Sequence, residues 1–327
     1  MVQRVGDPHF SVVLPTYRRP EKLTRVVRAV IEQLGPDDEL IVVDDGSGDA
    51  TGVHLGRIRD PRLRAVRQAN QGVSLARNRG VLEARNEVLL FIDDDEIPQP
   101  GWLSAHREAH RSNDPKAVMG RAALVVRLRR RTATVPPGER GGATLVNDSF
   151  SVRRADFDRI GGFDPRFFHG GEDVDLGIRL RRAGVELEVA PKAIVSHEIN
   201  RSYRDFRRQR LRRGEASARL RMVHGQGFLP DPGSLSGYDA ILIRPGIASR
   251  PFAELVSVAL WLLMQVAGLA GSWRAQAAAA GRIGTILGLN AERRALERWS
   301  SDETTSSPVD VIEQESDANH DKQPHHT

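Results

Sequence analysis

The sequence of 327 residues contains no cysteine, which excludes disulfides, thiolate metal sites and cysteine nucleophiles. Its first residues lack a basic segment followed by a long apolar one, so we expect no cleavable signal peptide and a cytoplasmic location. Long apolar segments are also scarce. Residues 252–273 form an apolar stretch whose only charge is Glu254. Its 17 uncharged residues at 255–271 are borderline for a spanning helix, which needs roughly 20. They suit a membrane-embedded or interfacial helix, and equally a buried core or dimer helix.

Charge is distributed unevenly along the chain. Residues 301–327 hold seven acids and one lysine, so the formal net charge of +5 becomes +11 for the first 300 residues. We expect this acidic tail, from residue 300 onward, to be disordered. Residues 203–221 carry eight arginines against only Asp205 and Glu215. Anionic lipid, nucleic acid and nucleotide phosphate all suit such a stretch, and a solvated helix face is a further interpretation.

Strand and helix patterns alternate in the first hundred residues. Apolar runs of strand length lie at 10–15, 40–43, 63–66 and 88–92. Between them, apolar residues recur at helical spacing over 21–34 and 71–84. This alternation predicts an α/β fold with a doubly wound, mostly parallel sheet. Beyond it we expect a strand at 117–126, a mobile or acceptor-facing loop at 127–142, and closing strands at 185–189 and 193–196.

Four adjacent acids follow the strand at 88–92. Asp93, Asp94, Asp95 and Glu96 repel one another unless a cation is present. Open α/β sheets bind ligands at the carboxyl ends of their strands, where such a cluster suits Mg²⁺ or Mn²⁺ beside a phosphate. A polar turn entering a helix is the alternative interpretation.

Six segments occur in a defined order, namely PTYRR (15–19), VVDDGS (42–47), NQGVSLARNRG (70–80), FIDDDEIPQPGWL (91–103), GGFD (161–164) and GGEDVDLGIRL (170–180). In this order they resemble the family 2 glycosyltransferases of GT-A fold. The resemblance implies a catalytic domain at residues 8–225, with a Rossmann-like nucleotide-binding half and an acceptor half. A helical C-terminal region at 226–299, a candidate for membrane association, would follow.

For the donor, the resemblance implies a nucleoside diphosphate sugar, with a UDP-sugar favoured by family habit. It places Pro15 and Tyr17 near the base and lets Asp45 accept a hydrogen bond from a ring N–H. Alternatively, Asp44 or Asp45 caps the next helix. The planar fork of Arg77 suits either the diphosphate or an acidic neighbour, and a surface salt bridge is the remaining alternative.

For the metal, the resemblance aligns Asp93 and Asp95 with the family's Asp-any-Asp motif, which implies Mn²⁺ or Mg²⁺ bridged to the donor phosphates. We expect Asp95 to be the direct ligand and Asp93 its partner on the ribose or the metal, while Asp94 leaves the register open by one position. His197 lies where several relatives carry a histidine near the metal, and a neutral imidazole is a suitable third ligand. A purely structural histidine is the alternative.

For the chemistry, the resemblance implies that Asp173 is the catalytic base of an inverting transfer. Inversion requires one carboxylate that removes the acceptor hydroxyl's proton while the oxygen attacks opposite the diphosphate. Glu172 and Asp173 could instead cap the helix that follows them.

One departure from the family bears on the product. Processive members carry a Gln-x-x-Arg-Trp motif, whereas residues 209–213 read QRLRR, with Arg213 in place of tryptophan. This difference favours transfer of a single sugar. Because the arginine-rich and apolar stretches are adjacent, we expect attachment to an anionic membrane surface at the inner face of the cell membrane. A lipid-linked or cell-envelope glycan would then be the acceptor.

Two other classes of protein compete with this interpretation. A sugar-1-phosphate nucleotidyltransferase would carry a glycine-rich loop after the first strand, and PTYRRPEK lacks those glycines. A nucleic-acid-binding module would use residues 203–221, but it leaves the acids unexplained and has few aromatics beside the arginines. We therefore expect no nucleic-acid partner.

Overall fold

A computed structural model of the chain describes residues 7–112, 114–128, 131–135, 149–168, 170–199, 203–225 and 295. The chain divides into two compact units, one formed by residues 1–168 and 172–200 and the other by residues 169–171 and 201–327. The predicted regions at 226–299 and 300–327 lie outside the described residues, apart from position 295. The proposed boundary at 225 therefore stays a prediction.

The first unit begins with alternating strands and helices: β1 Phe10–Thr16, α1 Pro20–Ile31, β2 Glu39–Asp44, α2 Thr51–Gly56, β3 Leu63–Arg67, α3 Val73–Glu83 and β4 Val88–Phe91. Every residue of β1 and β4 is buried, as expected for strands covered on both faces. Helix α1 turns Leu23, Val26 and Val30 into the core. Strands β3, β2, β1 and β4 are adjacent in this order and all parallel.

The rest of this unit comprises β5 Glu96–Pro98, α4 Trp102–Ala109, β6 Lys116–Leu128, β7 Arg131–Val135, β8 Phe150–Arg153, α5 Arg154–Arg159, α6 Glu172–Arg182 and β9 Glu186–Ile199. Strand β8 runs antiparallel to β4 and to β6, while β9 runs parallel to β6. The described part of the sheet has the order β3-β2-β1-β4-β8-β6-β9-β5, with β7 paired to β6. The predicted α/β class is confirmed, and the antiparallel strands join its second half.

Two details differ from the sequence prediction. The expected loop at 127–142 begins as a hairpin, because β6 continues to Leu128 and pairs with β7 at Arg131–Val135. The two expected closing strands form one strand, β9, whose pairing with β6 shifts register between Met119 and Arg121. This shift of register lets β9 continue through residues 190–192, where the sequence pattern had suggested a break between two strands.

The sheet cannot be flat, because four residues connect β4 to β5. These two strands lie four positions apart in the sheet, a lateral distance of about 19 Å at ordinary strand spacing. The five steps from Phe91 to Glu96 reach at most about 18 Å when fully extended. A turn shortens them further, since the Glu96 N–H donates to the Asp93 carbonyl at 3.2 Å. The sheet therefore curls and brings β5 near β4, and Asp93, Asp94 and Asp95 lie in the short connection between these two strands.

Helix α3 packs unusually close to the sheet. A Cβ atom at Gly80 would lie 2.4 Å from Val13 Cγ1 and 3.3 Å from Val43 Cγ2. Ala76, one turn earlier, is fully buried. The small residues on this face explain why the helix comes so close to the sheet. The close packing brings Arg77 of α3 next to Asp93, just beyond the end of β4.

A buried polar chain lies beneath α4. Trp102 Nε1 donates to Ser149 Oγ at 2.9 Å, and Ser149 Oγ lies 3.5 Å from His106 Nε2. His106 Nδ1 and His110 Nε2 each lie 2.8 Å from Ser151 Oγ. All five side chains are at most 1% exposed. Since indole only donates, two neutral imidazoles let each hydroxyl pass one hydrogen to the next ring, and His110 Nδ1 then has no hydrogen-bond partner among the described residues.

The described part of the second unit contains α7 Tyr203–His224. Arg219 and Arg221 are buried, so these two of the eight arginines do not belong to an exposed basic face. Among the helices that the structure describes, none is long and apolar enough to cross a membrane. The candidate segment at 252–273 lies outside those residues.

Candidate active site

The carboxyl ends of β1, β2 and β4 meet at one edge of the sheet. Thr16 pairs with Asp44 at the ends of β1 and β2, and the Ile92 N–H donates to the Val13 carbonyl just beyond β4. The first segments singled out in the sequence therefore converge on one side, as expected for parallel strands.

The two predicted base-binding residues of β1 differ in accessibility. Pro15 is buried in the strand, paired with Val43, whereas Tyr17 is half-buried. The Arg18 guanidinium lies 5.0 Å from the Tyr17 ring centroid, and the Arg18 N–H donates to Ser47 Oγ at 2.9 Å. Tyr17 is thus the accessible one of the pair, on a segment attached to the loop after β2.

Asp44 and Asp45 shape the loops around the base position, and neither caps α2. Asp44 Oδ1 accepts from the Ser47 N–H, closing the turn after β2. Asp45 accepts at 2.8–2.9 Å from Gln68 Nε2 and from the backbone N–H groups of Gln71 and Gly72. Burial raises the pKa of Asp45, and these hydrogen bonds oppose the shift. A carboxylate has about four acceptor positions, so Asp45 retains capacity for one further donor.

Arg77 contacts acidic neighbours, one of its two predicted targets. Its Nη1 donates to Glu172 Oε1 and its Nη2 to Asp93 Oδ1, both at 2.7 Å. The side chain is fully buried and lies 5.2 Å from the centroid of the Phe163 ring. Arg77 would therefore contribute to a donor site indirectly, by holding the Asp93 carboxylate in place. Burial raises the pKa of Glu172, with Arg77 opposing and Asp173 adding to the rise.

The GGFD segment at residues 161–164 supports the position of Arg77, a role that its sequence pattern did not indicate. The Asn78 side chain donates to the Phe163 carbonyl at 2.8 Å and accepts from the Phe163 N–H at 3.0 Å. Gly162 has φ +74°, and a Cβ there would lie 2.9 Å from Asn78 Oδ1. A contact this close needs a glycine at position 162 and a short amide side chain at position 78. GGFD thus holds Phe163 beneath the Arg77 guanidinium.

Asp94 and Asp95 are both ion-paired to the Arg19 guanidinium. Arg19 Nη1 donates to Asp94 Oδ1 at 2.8 Å and to Asp95 Oδ2 at 2.7 Å. Asp94 is buried and also accepts from Thr16 Oγ1 at 2.8 Å. Burial raises the pKa of Asp94 to about 6, although Arg19 opposes the shift. Asp94 therefore ties the acid loop to β1, which leaves Asp93 and Asp95 as the accessible acids.

Asp95 and His197 lie together, because β5 pairs with β9 and sets Glu96 opposite His197. Asp95 Oδ2 is 3.7 Å from His197 Nε2, a buried nitrogen without a hydrogen-bond partner among the described residues. Bonds of about 2.1 Å to each atom would let one cation reach both. Carboxylate oxygen and imidazole nitrogen suit Mn²⁺. These two residues fit a divalent metal.

Asp93, the third expected ligand, is turned toward Arg77. Within the described ranges, no three Asp, Glu or His side chains form a cluster that would hold a metal by itself. Mg²⁺ and similar ions commonly bind one or two carboxylates plus substrate phosphates, so an incomplete protein ligand set is typical of nucleotide sites.

Asp173 lies in the first turn of α6, next to Glu172. Its carboxylate is half-buried, and Oδ1 accepts from the Val174 N–H at 2.8 Å. Asp173 thus binds one backbone N–H of the first helical turn, which is part of the capping role considered as the alternative to catalysis. Through Glu172 and Arg77, α6 is nonetheless joined by hydrogen bonds to Asp93 at the end of β4.

Comparison with known proteins gives consistent matches. The model of "Glycosyl transferase family 2" matches residues 11–135, and that of "Glycosyl transferase family group 2" matches residues 140–274. A pre-mycofactocin glycosyltransferase of Mycobacterium tuberculosis is 27% identical over 284 residues, which cover 78% of this chain and 57% of the relative. Validoxylamine A glucosyltransferase of Streptomyces hygroscopicus subsp. limoneus is 30% identical over 226 residues, covering 56% and 50%. The chain spans about half the length of these relatives.

Two solved structures share the fold. The mannosyltransferase PcManGT from Pyrobaculum calidifontis, in complex with GDP-Man and Mn²⁺, has a TM-score of 0.54 at 17% identity and covers 98% of this chain and 82% of its own. GalNAc-T7 with UDP, GalNAc and Mn²⁺ has a TM-score of 0.52 at 16% identity and covers 69% and 52%. The two family models and these two structures are all glycosyltransferases, so they give no support to the competing nucleotidyltransferase and nucleic-acid-binding classes. The chain belongs to the family 2 glycosyltransferases of GT-A fold.

Proposed function

We propose that the protein is an inverting glycosyltransferase that moves a single sugar from a nucleoside diphosphate donor to an acceptor hydroxyl. The observation that carries this proposal is the pair Asp95 and His197, 3.7 Å apart, at the same strand ends as Asp45 and the buried Arg77–Asp93 pair. Tyr17 and the remaining acceptor position of Asp45 would bind the base, and Asp93 the ribose.

Asp95 and His197 would hold Mn²⁺ or Mg²⁺, and Asp93 would complete the site on the ribose or the metal. A bound divalent cation would neutralise the charge that develops on the departing nucleoside diphosphate. Arg77 keeps Asp93 oriented, because its buried guanidinium donates to the carboxylate at 2.7 Å.

Asp173 would act as the base. Its carboxylate takes the proton of the acceptor hydroxyl while the hydroxyl oxygen bonds to the anomeric carbon. The bond from that carbon to the diphosphate oxygen breaks on the opposite face, which inverts the configuration. The first turn of α6 suits an anionic base, since the helix N-terminus stabilises negative charge.

The donor base and the acceptor are the finer parts of the proposal. We favour a UDP-sugar, although the PcManGT complex contains GDP-Man and the GalNAc-T7 complex contains UDP. A lipid-linked or cell-envelope glycan would be the acceptor, and residues 203–221 and 252–273 would attach the protein peripherally to the inner face of the membrane. The replacement of the processive motif's tryptophan by Arg213 supports transfer of one sugar.

Calorimetric titration of UDP, GDP and TDP into the protein, with and without Mn²⁺, tests this function. We expect metal-dependent binding of one diphosphate, abolished in Asp95→Ala and retained in Asp37→Ala, which removes an exposed acid elsewhere on the surface. Asp173→Asn should bind the diphosphate normally and lose about 10²–10⁴-fold in transfer rate. Absence of diphosphate binding with and without metal would refute the proposal.

A further inference from the structure

Helix α1 holds the backbone of Arg19, whereas its side chain is partly exposed. Arg19 is the N-cap of α1, and its carbonyl accepts from the Leu23 N–H at 3.0 Å. No side-chain hydrogen bond caps the helix at this position. The Arg19 side chain is 45% exposed, unlike the fully buried Arg77. The guanidinium can therefore change partners without moving the helix.

The atom that Arg19 contacts is the atom that faces His197. Asp95 Oδ2 accepts from Arg19 Nη1 at 2.7 Å and lies 3.7 Å from His197 Nε2. A divalent cation between Asp95 and His197 would lie beside the guanidinium, and the two positive charges would repel each other. Occupation of Asp95 by a cation thus opposes its contact with Arg19.

Asp94 does not depend on Arg19 alone. It keeps its hydrogen bond from Thr16 Oγ1 and its buried position when the guanidinium leaves. The released side chain would extend from the N-terminus of α1, next to Asp95, where a metal-bound diphosphate brings negative charge. A planar guanidinium forms paired hydrogen bonds with phosphate oxygens, so it has a new partner there.

We propose that Arg19 is an exchangeable counter-ion, which neutralises Asp94 and Asp95 in the free protein and transfers to the donor diphosphate when a divalent cation takes Asp95. The inference rests on the proposed function, since it requires that Asp95 binds a metal and that the donor is a nucleoside diphosphate. It makes Arg19 both a competitor of the metal and a ligand of the metal-bound nucleotide.

Two titrations on Arg19→Gln separate these roles. In the first, Mn²⁺ alone is titrated, and we expect about two- to fivefold tighter binding than in wild type, because a half-exposed competing ion pair is removed. In the second, the diphosphate that wild type binds is titrated at saturating Mn²⁺. We expect about tenfold weaker binding, because a charge-assisted hydrogen bond to phosphate is lost.

Arg28→Gln is the matched control. It removes the same charge from the exposed face of the same helix, about 13 Å from Arg19 along the axis. Both affinities should stay within twofold of wild type. Arg19→Lys keeps the charge without the fork, so it should restore wild-type Mn²⁺ affinity while leaving diphosphate binding weak.

The outcomes are distinguishable. Weaker Mn²⁺ binding by Arg19→Gln would overturn the inference, since Arg19 would then support the metal site. Unchanged diphosphate binding would overturn the transfer to the donor. Equal effects of Arg28→Gln would attribute the changes to net charge and also overturn it. A wild-type protein that bound neither Mn²⁺ nor any diphosphate would overturn the proposed function, and the inference with it.

Discussion

Acidification should destabilise the fold through His106 and His110. Burial lowers the pKa of each ring to about 3, with smaller contributions from His110 on His106 and from Arg153 and Lys116 on His110. Neutral rings also fit the chain of hydrogen bonds through Ser151, whose hydroxyl can accept from one ring and donate to the other. Both imidazoles therefore stay unprotonated in the folded protein at pH values where an unfolded chain protonates them.

The sign of the effect follows from proton binding. Unfolded histidine titrates near pH 6.5, so below that pH the unfolded state holds more protons and the free energy of unfolding falls. The contribution is fully present above about pH 6.5 and is lost as the pH drops toward 3. From pH 7.5 to pH 5 each ring costs about 2 kcal/mol, and the pair about 4 kcal/mol.

Urea unfolding at several pH values, followed by tryptophan fluorescence, measures this slope. The double variant His106→Gln/His110→Gln should lose about 4 kcal/mol of the wild-type decline between pH 7.5 and 5, whatever its stability at pH 7.5. Carboxylates contribute equally to both proteins and cancel in the difference. His9→Gln, at an exposed position, should keep the wild-type slope. An unchanged slope in the double variant would refute the reasoning.

Two further substitutions test the packing around α3. Gly80→Ala places a methyl group 2.4 Å from Val13 Cγ1 and should cost about 1–3 kcal/mol in urea unfolding, whereas Gly52→Ala, with nothing within 4 Å, should stay within about 1 kcal/mol of wild type. Equal stability of the two variants would contradict the close approach of α3. Arg77→Met leaves two carboxylates without their shared cation and should lower the free energy of unfolding by about 3–5 kcal/mol. Retained stability would show that the buried pair is replaceable.

Much of the nucleotide-binding half could be predicted from sequence. Apolar runs of strand length, separated by helical spacing, specify β1, β2, β3 and β4, and parallel strands bring the residues after them to one edge. The second half was less accessible, since β8 and the hairpin of β6 and β7 depend on long-range antiparallel pairing that no local periodicity records.

The sequence indicated which residues belong to the site more readily than it indicated which side chains they contact. Periodicity placed Arg77 on a helix without indicating that it is fully buried between Asp93 and Glu172, because those contacts join residues 16 and 95 positions apart. Nor did the sequence indicate that Arg19 would contact Asp95. The buried histidine chain was missed altogether, although the i, i+4 spacing of His106 in α4 and His110 at its C-cap was a signal for it.

The short connection from β4 to β5 also constrains how this sequence can vary over evolutionary time. If the addition or deletion of one residue between Phe91 and Glu96 shifted β5 by one position along β9, every side chain of β5 would turn to the opposite face. Ile97 would leave the core against which it packs, and the alignment of Glu96 with His197 would be lost. Relatives that preserve this curled sheet are therefore expected to differ here by substitution, with insertions and deletions confined to other loops.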